Sequence, residues 1–126
     1  MANRKAISTN NAPGAVGPYS QAISCGGLLF ISGQLPIDMA TGGFPTTIFD
    51  QTRCCLQHLD EIAKEAGTSL QNAVKVTVFL TDMDDFVEMN SAYTEFFTSV
   101  PPARACVAVA GLPKNAEIEI EAVCAL

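Results

Sequence analysis

Residues 48–80, IFDQTRCCLQHLDEIAKEAGTSLQNAVKVTVFL, contain the change of hydrophobic period that decides the fold. Apolar residues first recur at three- and four-residue steps, which predicts an amphipathic helix over residues 48–66. Thr47 with Asp50 offers a start similar to a capping box, and Gly67 is a typical C-terminal stop. Over residues 73–80 the period falls to two, which predicts a strand with one face formed by Val74, Val76, Val78 and Leu80.

The residues before this helix predict a β-hairpin followed by a loop. Gly26-Gly27 separates the apolar runs of residues 21–25 and 28–32, as a two-residue turn between paired strands does. Pro36 and residues 38–43 then interrupt the regular pattern. We therefore expect two strands and a loop before the first helix.

The residues after the 73–80 strand predict a second helix and two more strands. The helix is predicted over residues 84–97, with an apolar stripe formed by Phe86, Met89, Tyr93 and Phe96. Pro101-Pro102 ends it, and strands follow over residues 104–110 and 118–124. The order ββ-α-β-α-ββ indicates an α+β fold, with a mixed sheet that carries both helices on one face and a single domain over residues 1–126.

Composition argues against several classes of function. With 126 residues, of which 48% are hydrophobic and 16% charged, the chain can bury an ordinary core. Its net charge of -6, without a cluster of Lys or Arg, argues against a nucleic-acid partner. No apolar run is long enough for a membrane span, and the N-terminal residues do not resemble a secretory signal. The five cysteines include no C-x-x-C pair, which favours reduced thiols in the cytoplasm over disulfides or a metal site.

The last predicted strand has two different faces. Ile118 and Ile120 point to one side, and Glu117, Glu119 and Glu121 to the other. A monomer could leave the acidic face in water, as antiparallel sheets often do. Alternatively, subunits could close around this face and form sites between them. The pattern alone fits both, and the mixture of apolar and ionisable residues favours assembly.

Arg104 is the only charged residue between Pro101 and Leu112, and it begins an otherwise uncharged strand. A guanidinium in that position requires an anionic partner, because a buried unpaired charge is very costly. One interpretation is a bidentate clamp for the carboxylate of a ligand. The other is a structural ion pair with Glu119 or Glu121, and the residues alone leave both open.

Cys106 lies two residues after Arg104 and therefore on the same side of the strand. A nucleophilic thiol would need a base, and His58, the only histidine, belongs to the first predicted helix. We therefore interpret Cys106 as a small buried thiol.

Four further residues are candidates for a ligand site. Glu119 either carries a proton or orients a water, or is simply a solvated carboxylate. The Gly-rich residues 14–21 lack the context of a phosphate loop, and we interpret them as an ordered loop that aims Tyr19. Ser32-Gly33 places a hydroxyl and a flexible backbone at a strand end, for a ligand or a bulge. Asn90 stands beside the apolar stripe of the second helix, where capping or solvent contact is the ordinary role.

Several short segments of the chain occur in the same order as in one known protein family: GPYSQA (17–22), ISGQ (31–34), VTVF (76–79), MNSAY (89–93), PARACV (102–107), and LPK (112–114) with IEIEA (118–122). In this combination the chain resembles the RidA (YjgF-type) family of reactive-intermediate imine deaminases. The segments cover nearly the whole chain, which makes their joint occurrence far more specific than any one of them.

The resemblance implies a chorismate-mutase-like α+β fold and a homotrimer with sites at the subunit interfaces. It also implies hydrolysis of 2-iminopropanoate and 2-iminobutanoate to 2-oxo acids and ammonia, without a metal or cofactor. Arg104 would hold the substrate carboxylate, and Glu119 would position or activate the attacking water. The other pocket residues that the resemblance implies are Tyr19, Ser32, Gly33, Asn90 and Cys106.

The substrate side chain is not fixed by this resemblance, because residues 97–101 form a shorter loop than in some deaminases. Two rival functions fit the same fold. One is a non-catalytic trimer that binds carboxylate ligands for regulation. The other is an endoribonuclease or translation inhibitor, against which the acidic balance argues.

Overall fold

A mixed sheet of six strands with two helices packed on one face forms the framework, in a computed structural model that describes residues 3–126. The strand order is β1-β2-β3-β6-β4-β5, in which β4 and β5 are parallel and every other pair is antiparallel. This architecture confirms the predicted α+β class. The helices are α1 (Ile48–Glu65) and α2 (Phe86–Phe96), and the strands are β1 (Lys5–Ile7), β2 (Ala22–Cys25), β3 (Leu28–Gln34), β4 (Ala73–Leu80), β5 (Ala103–Ala108) and β6 (Ile118–Ala125).

Local signals set the ends of α1 and the turn of the first hairpin. The Thr47 hydroxyl accepts a hydrogen bond from the Asp50 N–H at 3.1 Å and so caps the N-terminus of α1. Gly67, with φ of 89°, follows its last turn. Gly26 and Gly27 have φ of 62° and 79°, a pair of positive values that a two-residue hairpin turn requires. These predicted features are confirmed.

The core lies between the sheet and the two helices. Alternate residues of β4 and β6 point into it, and both helices cover that face, as predicted. Each buried aliphatic side chain contributes about 1.5–3 kcal/mol relative to exposure. Fully buried members from these elements include Val76, Val78, Leu80, Ile118, Ile120, Leu56, Leu59, Ile62 and Met89.

Three predicted details were wrong, and one strand was missed. Val74 does not share the buried face of β4, because the pairing with β6 shifts by one residue between Ala73 and Lys75, and the Val74 side chain is 45% exposed. The second helix begins at Phe86 after a short 3-10 turn, and β5 ends at Ala108 rather than at residue 110. The edge strand β1 was not predicted, since three residues carry too little pattern.

Among residues 3–126, no helix covers the other face of the sheet. Phe30 is 46% exposed there, beside Thr77, Glu121 and Val123 on neighbouring strands. The mixture of apolar and ionisable groups matches the two-faced pattern of the sequence. Within residues 3–126, no helix is both long and apolar enough to cross a membrane.

Candidate functional site

The Arg104 guanidinium lies against α2, on the helix-covered side of the sheet. The parallel register places Arg104 beside Val76, whose side chain enters the core. Three residues of α2 at helical spacing, Phe86, Asn90 and Tyr93, then surround the guanidinium, and we call them the α2 cradle. Arg104 Nη1 donates a hydrogen bond to Asn90 Oδ1 at 2.7 Å. Its Cζ is 4.6 Å from the Tyr93 ring centroid and 5.6 Å from that of Phe86, within cation–π range.

The α2 cradle holds a cation without neutralising it, because an amide and two aromatic rings carry no charge. Among residues 3–126 the salt bridge joins Lys64 to Asp60, and Arg104 has no carboxylate partner. The structural ion pair with Glu119 or Glu121 is therefore not formed. The cradle fixes the guanidinium while leaving its charge available to an anion from outside the chain.

Cys106 lies on the same side of β5 as Arg104, and it is only partly buried, where the sequence predicts a buried thiol. Burial raises the pKa of its thiol, and the neighbouring Arg104 opposes that rise. The only histidine, His58, contacts Cys54 on α1 instead. No imidazole is therefore available to activate Cys106, which agrees with the interpretation of a small thiol.

A second group of predicted residues lines one cavity of about 750 Å³. We call it the Glu119 cavity. Its floor is the end of β3, where the pairing with β6 shifts between Ile31 and Gln34 and forms a bulge. Ser32 and Gly33 lie within this irregular stretch. The walls include Pro13, Gly14, Val16, Tyr19, Pro113 and Lys114. The predicted site residues that line it are Tyr19, Ser32, Gly33 and Glu119.

The Glu119 carboxylate lies directly over Gly33. A methyl group at Gly33 would clash with the carboxylate, whose Cδ would be 2.8 Å from it. Burial raises the pKa of Glu119 above its ordinary value, and the neighbouring Glu121 carboxylate raises it further. A carboxyl group with a raised pKa, next to an open cavity, is suited to accept a proton from water and return it.

Ser32 and Tyr19 complete the polar lining of this cavity. The Ser32 hydroxyl donates its proton to the Ser20 carbonyl at 2.6 Å, so towards a ligand it can only accept. Tyr19 is 51% exposed, and its N–H donates to the Gly17 carbonyl at 2.8 Å, which shapes the loop that presents the ring. The predicted role of residues 14–21 as an ordered loop agrees with this geometry.

The predicted site residues therefore form two groups on opposite faces of one sheet. Arg104, Asn90 and Cys106 lie on the helix side, and the Glu119 cavity opens on the other, because Glu119 alternates with the buried Ile118 and Ile120. Neither group is complete alone: one offers a cation for an anionic ligand, and the other offers a proton acceptor.

Sequence reasoning missed three contributors. Phe86 and Tyr93 were predicted only as core residues, since an aromatic stripe does not reveal that a cation will pack on it. Gln21 is buried, and its amide accepts from the Thr9 N–H at 2.7 Å and donates to the Pro13 carbonyl at 2.8 Å, which ties down the wall of the Glu119 cavity. The sequence signal for this role was a glutamine next to an apolar run, since a buried amide needs hydrogen-bond partners.

A family model described as Endoribonuclease L-PSP matches residues 9–126. The chain belongs to this family, which is also the YjgF/RutC/RidA family. The predicted family resemblance is thereby confirmed. Imine deaminases are among its members.

Relatives within the family match almost end to end. The RutC family protein y4sK of Sinorhizobium fredii is 59% identical over 121 residues, covering 95% of this chain and 96% of that protein. The 2-iminobutanoate/2-iminopropanoate deaminase of Escherichia coli strain K12 is 43% identical over 122 residues, covering 94% and 95%. The crystal structure of E. coli TdcF with bound serine superposes with a TM-score of 0.92 at 42% identity, covering 97% of this chain and 98% of TdcF.

Proposed function

We propose that this protein hydrolyses reactive 2-imino acids and their enamine tautomers, such as 2-iminopropanoate and 2-iminobutanoate, to 2-oxo acids and ammonia. The observation that carries the proposal is the Arg104 guanidinium, held by an amide and two rings and paired with no carboxylate of residues 3–126. Such a cation fits the carboxylate of a small 2-imino acid. The deaminase name of a relative 43% identical over 122 residues supports this substrate class.

The chemistry needs positioning more than strong activation, because the imine carbon is already electrophilic. Arg104 binds the carboxylate, and the Glu119 carboxylate accepts a proton from water as its oxygen bonds to C2. The imine nitrogen takes up a proton from solvent, and Ser32 accepts a hydrogen bond from its N–H. Glu119 then returns its proton to the amine of the resulting carbinolamine, the C2–N bond breaks to release ammonia, and the C2 hydroxyl loses its proton to solvent as the C2–O bond becomes a carbonyl.

We further propose that the working site forms between two copies of the chain, in a homotrimer. Arg104 and Glu119 face opposite sides of their own sheet, so one substrate reaches both only if different subunits supply them. The uncovered sheet face, where the half-exposed Phe30 stands beside ionisable groups, offers a surface for such an assembly.

The direct test follows imine lifetime. An amino-acid dehydratase releases 2-iminobutanoate in the presence of semicarbazide, which traps the imine that has not yet been hydrolysed. We expect the yield of the trapped product to fall as the purified protein is added, with 2-oxobutanoate and ammonia formed in equal amounts. An unchanged yield at a large excess of active-site concentration over imine would refute the proposal.

A second candidate is a carboxylate-binding protein without catalysis, favoured by the serine bound in the related TdcF structure. The two functions differ at Glu119, which a binding protein does not need as a base. Saturable binding of 2-oxo acids with no effect on the trapped yield would support this candidate.

The description of the matching family model favours a third candidate, an endoribonuclease. The net charge of -6 argues against RNA as a ligand, because an acidic surface repels phosphates. RNA cleavage by homogeneous protein that disappears in an Arg104→Ala variant would favour it over the deaminase.

Gly33→Ala is expected to lower kcat for imine hydrolysis about tenfold while the protein stays folded. The new methyl group displaces the Glu119 carboxylate, which is the end of a movable side chain, so the backbone need not shift. Steady-state kinetics and a thermal unfolding curve check both statements. Gly111→Ala is the matched control, since its methyl group meets no atom within 4 Å and Gly111 does not line the Glu119 cavity. Unchanged kcat in Gly33→Ala would contradict the assigned position of Glu119.

A further inference from the structure

Residues 37–43, here called the 37–43 loop, form a compact turn held by its own backbone. The Asp38 N–H donates to the Gly43 carbonyl at 2.8 Å, and the Gly42 N–H donates to the Asp38 carbonyl at 2.7 Å. The Ala40 N–H donates to Asp38 Oδ1, also at 2.8 Å. These bonds make the loop one compact unit, whose position depends on what anchors its ends.

The 37–43 loop stands between two cavities. Asp38 and Met39 line the Glu119 cavity, and they also line a second cavity of about 790 Å³ beside α1. The second cavity is bordered by the exposed side of α1, including Arg53 and Glu61. A shift of the loop would change the shape of both cavities at once.

One carbonyl links the start of the loop to α1. His58 Nε2 lies 2.7 Å from the Ile37 carbonyl oxygen, and the Cys54 Sγ lies 3.4 Å from the same oxygen. Because a carbonyl only accepts, the imidazole carries its proton on Nε2. His58 is buried, and burial lowers its pKa, so the ring is neutral at pH 7. Burial raises the pKa of Cys54 to about 11, which keeps the thiol protonated and able to donate.

We propose that His58, assisted by Cys54, is a positioning residue that sets which substrate side chains the Glu119 cavity accepts. The effect on selectivity rests on the proposed function, whereas the contacts of His58 do not. The Arg104 clamp fixes the carboxylate end of any 2-imino acid, so the walls of the cavity select the side chain. Met39, half exposed at the loop tip, is the apolar wall residue whose position the Ile37 anchor controls.

Hydrogen exchange tests the anchor without any assay of catalysis. His58→Leu removes the donor, and His58→Gln keeps an N–H at a similar reach. We expect the amides of Asp38, Ala40 and Gly42 to exchange about five- to tenfold faster in His58→Leu, and near the parent rate in His58→Gln. Cys54→Ala, which leaves the imidazole in place, should give a smaller acceleration and serves if His58→Leu does not fold. Unchanged exchange in both His58→Leu and Cys54→Ala overturns the anchor.

Selectivity between small and large 2-imino acids tests the proposed effect of the anchor on the cavity. The kcat/KM for 2-iminopropanoate is compared with that for the branched 2-imino-4-methylpentanoate in the same variants. We expect His58→Leu to change the ratio at least fivefold through KM for the larger substrate, with kcat for the smaller one unchanged, and His58→Gln to restore it. The Kd values of the corresponding 2-oxo acids give the same comparison if the parent hydrolyses no imine. Faster exchange with an unchanged ratio overturns the role in selectivity.

Discussion

Arg104→Ala is expected to lower kcat/KM for 2-imino acid hydrolysis by about 100-fold or more, which corresponds to about 3 kcal/mol. The substrate carboxylate loses the guanidinium that binds it, and the α2 cradle offers it an amide and two rings instead. The change should appear mainly in KM, since Arg104 binds the part of the substrate that does not react. Kinetics with the imine-trapping assay measures both constants.

Arg104→Lys is the informative control for this prediction. Lysine keeps the charge but cannot form two parallel hydrogen bonds to a carboxylate, so we expect intermediate activity. Because Arg104 forms no internal ion pair within residues 3–126, its loss should leave the unfolding temperature within a few degrees of the parent. Parent-like KM in folded Arg104→Ala would show that another group binds the carboxylate.

Glu119→Gln is expected to lower kcat about 100- to 1,000-fold with little change in KM. Glutamine matches the shape of the side chain but cannot accept a proton from the attacking water. In the parent, burial and Glu121 raise the pKa of Glu119 above 4.5, so activity should fall as pH drops through that raised value. The loss of activity at low pH and the loss of activity in Glu119→Gln should therefore both result from the absence of an ionised Glu119 carboxylate.

Stability separates this catalytic effect from misfolding. A carboxyl group whose folded pKa is raised stabilises the protein below its unfolded pKa, and that contribution is lost as pH rises through the folded pKa. At pH 7 the ionised Glu119 carboxylate therefore slightly destabilises the folded protein, and Glu119→Gln should be at least as stable as the parent. The difference in stability between Glu119→Gln and the parent should become smaller near pH 4. A markedly less stable variant at pH 7 would contradict the assigned environment of Glu119.

Elements with strong local signals could be predicted from the sequence. The first helix has a helical apolar period with a Thr47 cap, and Gly26-Gly27 can adopt the positive φ values of a tight turn. In contrast, the predicted face of Val74 was wrong. A bulge changes which side chains of the strand alternate between the two faces, and the residue types do not reveal it. Periodicity predicts the faces of a strand only where the pairing is regular.

The candidate site was harder to predict, because its geometry comes from long-range pairing. Arg104 and Glu119 both looked like charges on strands, and nothing in their spacing tells that one faces α2 and the other the uncovered side. The parallel pairing of β4 with β5 decides this, since it puts Arg104 beside Val76. The aromatic partners of Arg104 were predicted as core residues. Their helical spacing is the same whether the rings pack on a cation or on leucine side chains.

Mixing two inactive variants tests most directly whether one substrate is held by Arg104 of one subunit and Glu119 of another. Arg104→Ala and Glu119→Gln chains are co-expressed in equal amounts, and the mixed assembly is assayed beside each variant alone. If subunits share sites, random assembly leaves about one quarter of the sites with both groups intact, and about one quarter of parent activity should return. Activity no higher than that of the separate variants, in assemblies shown by mass to contain both chains, would contradict the account.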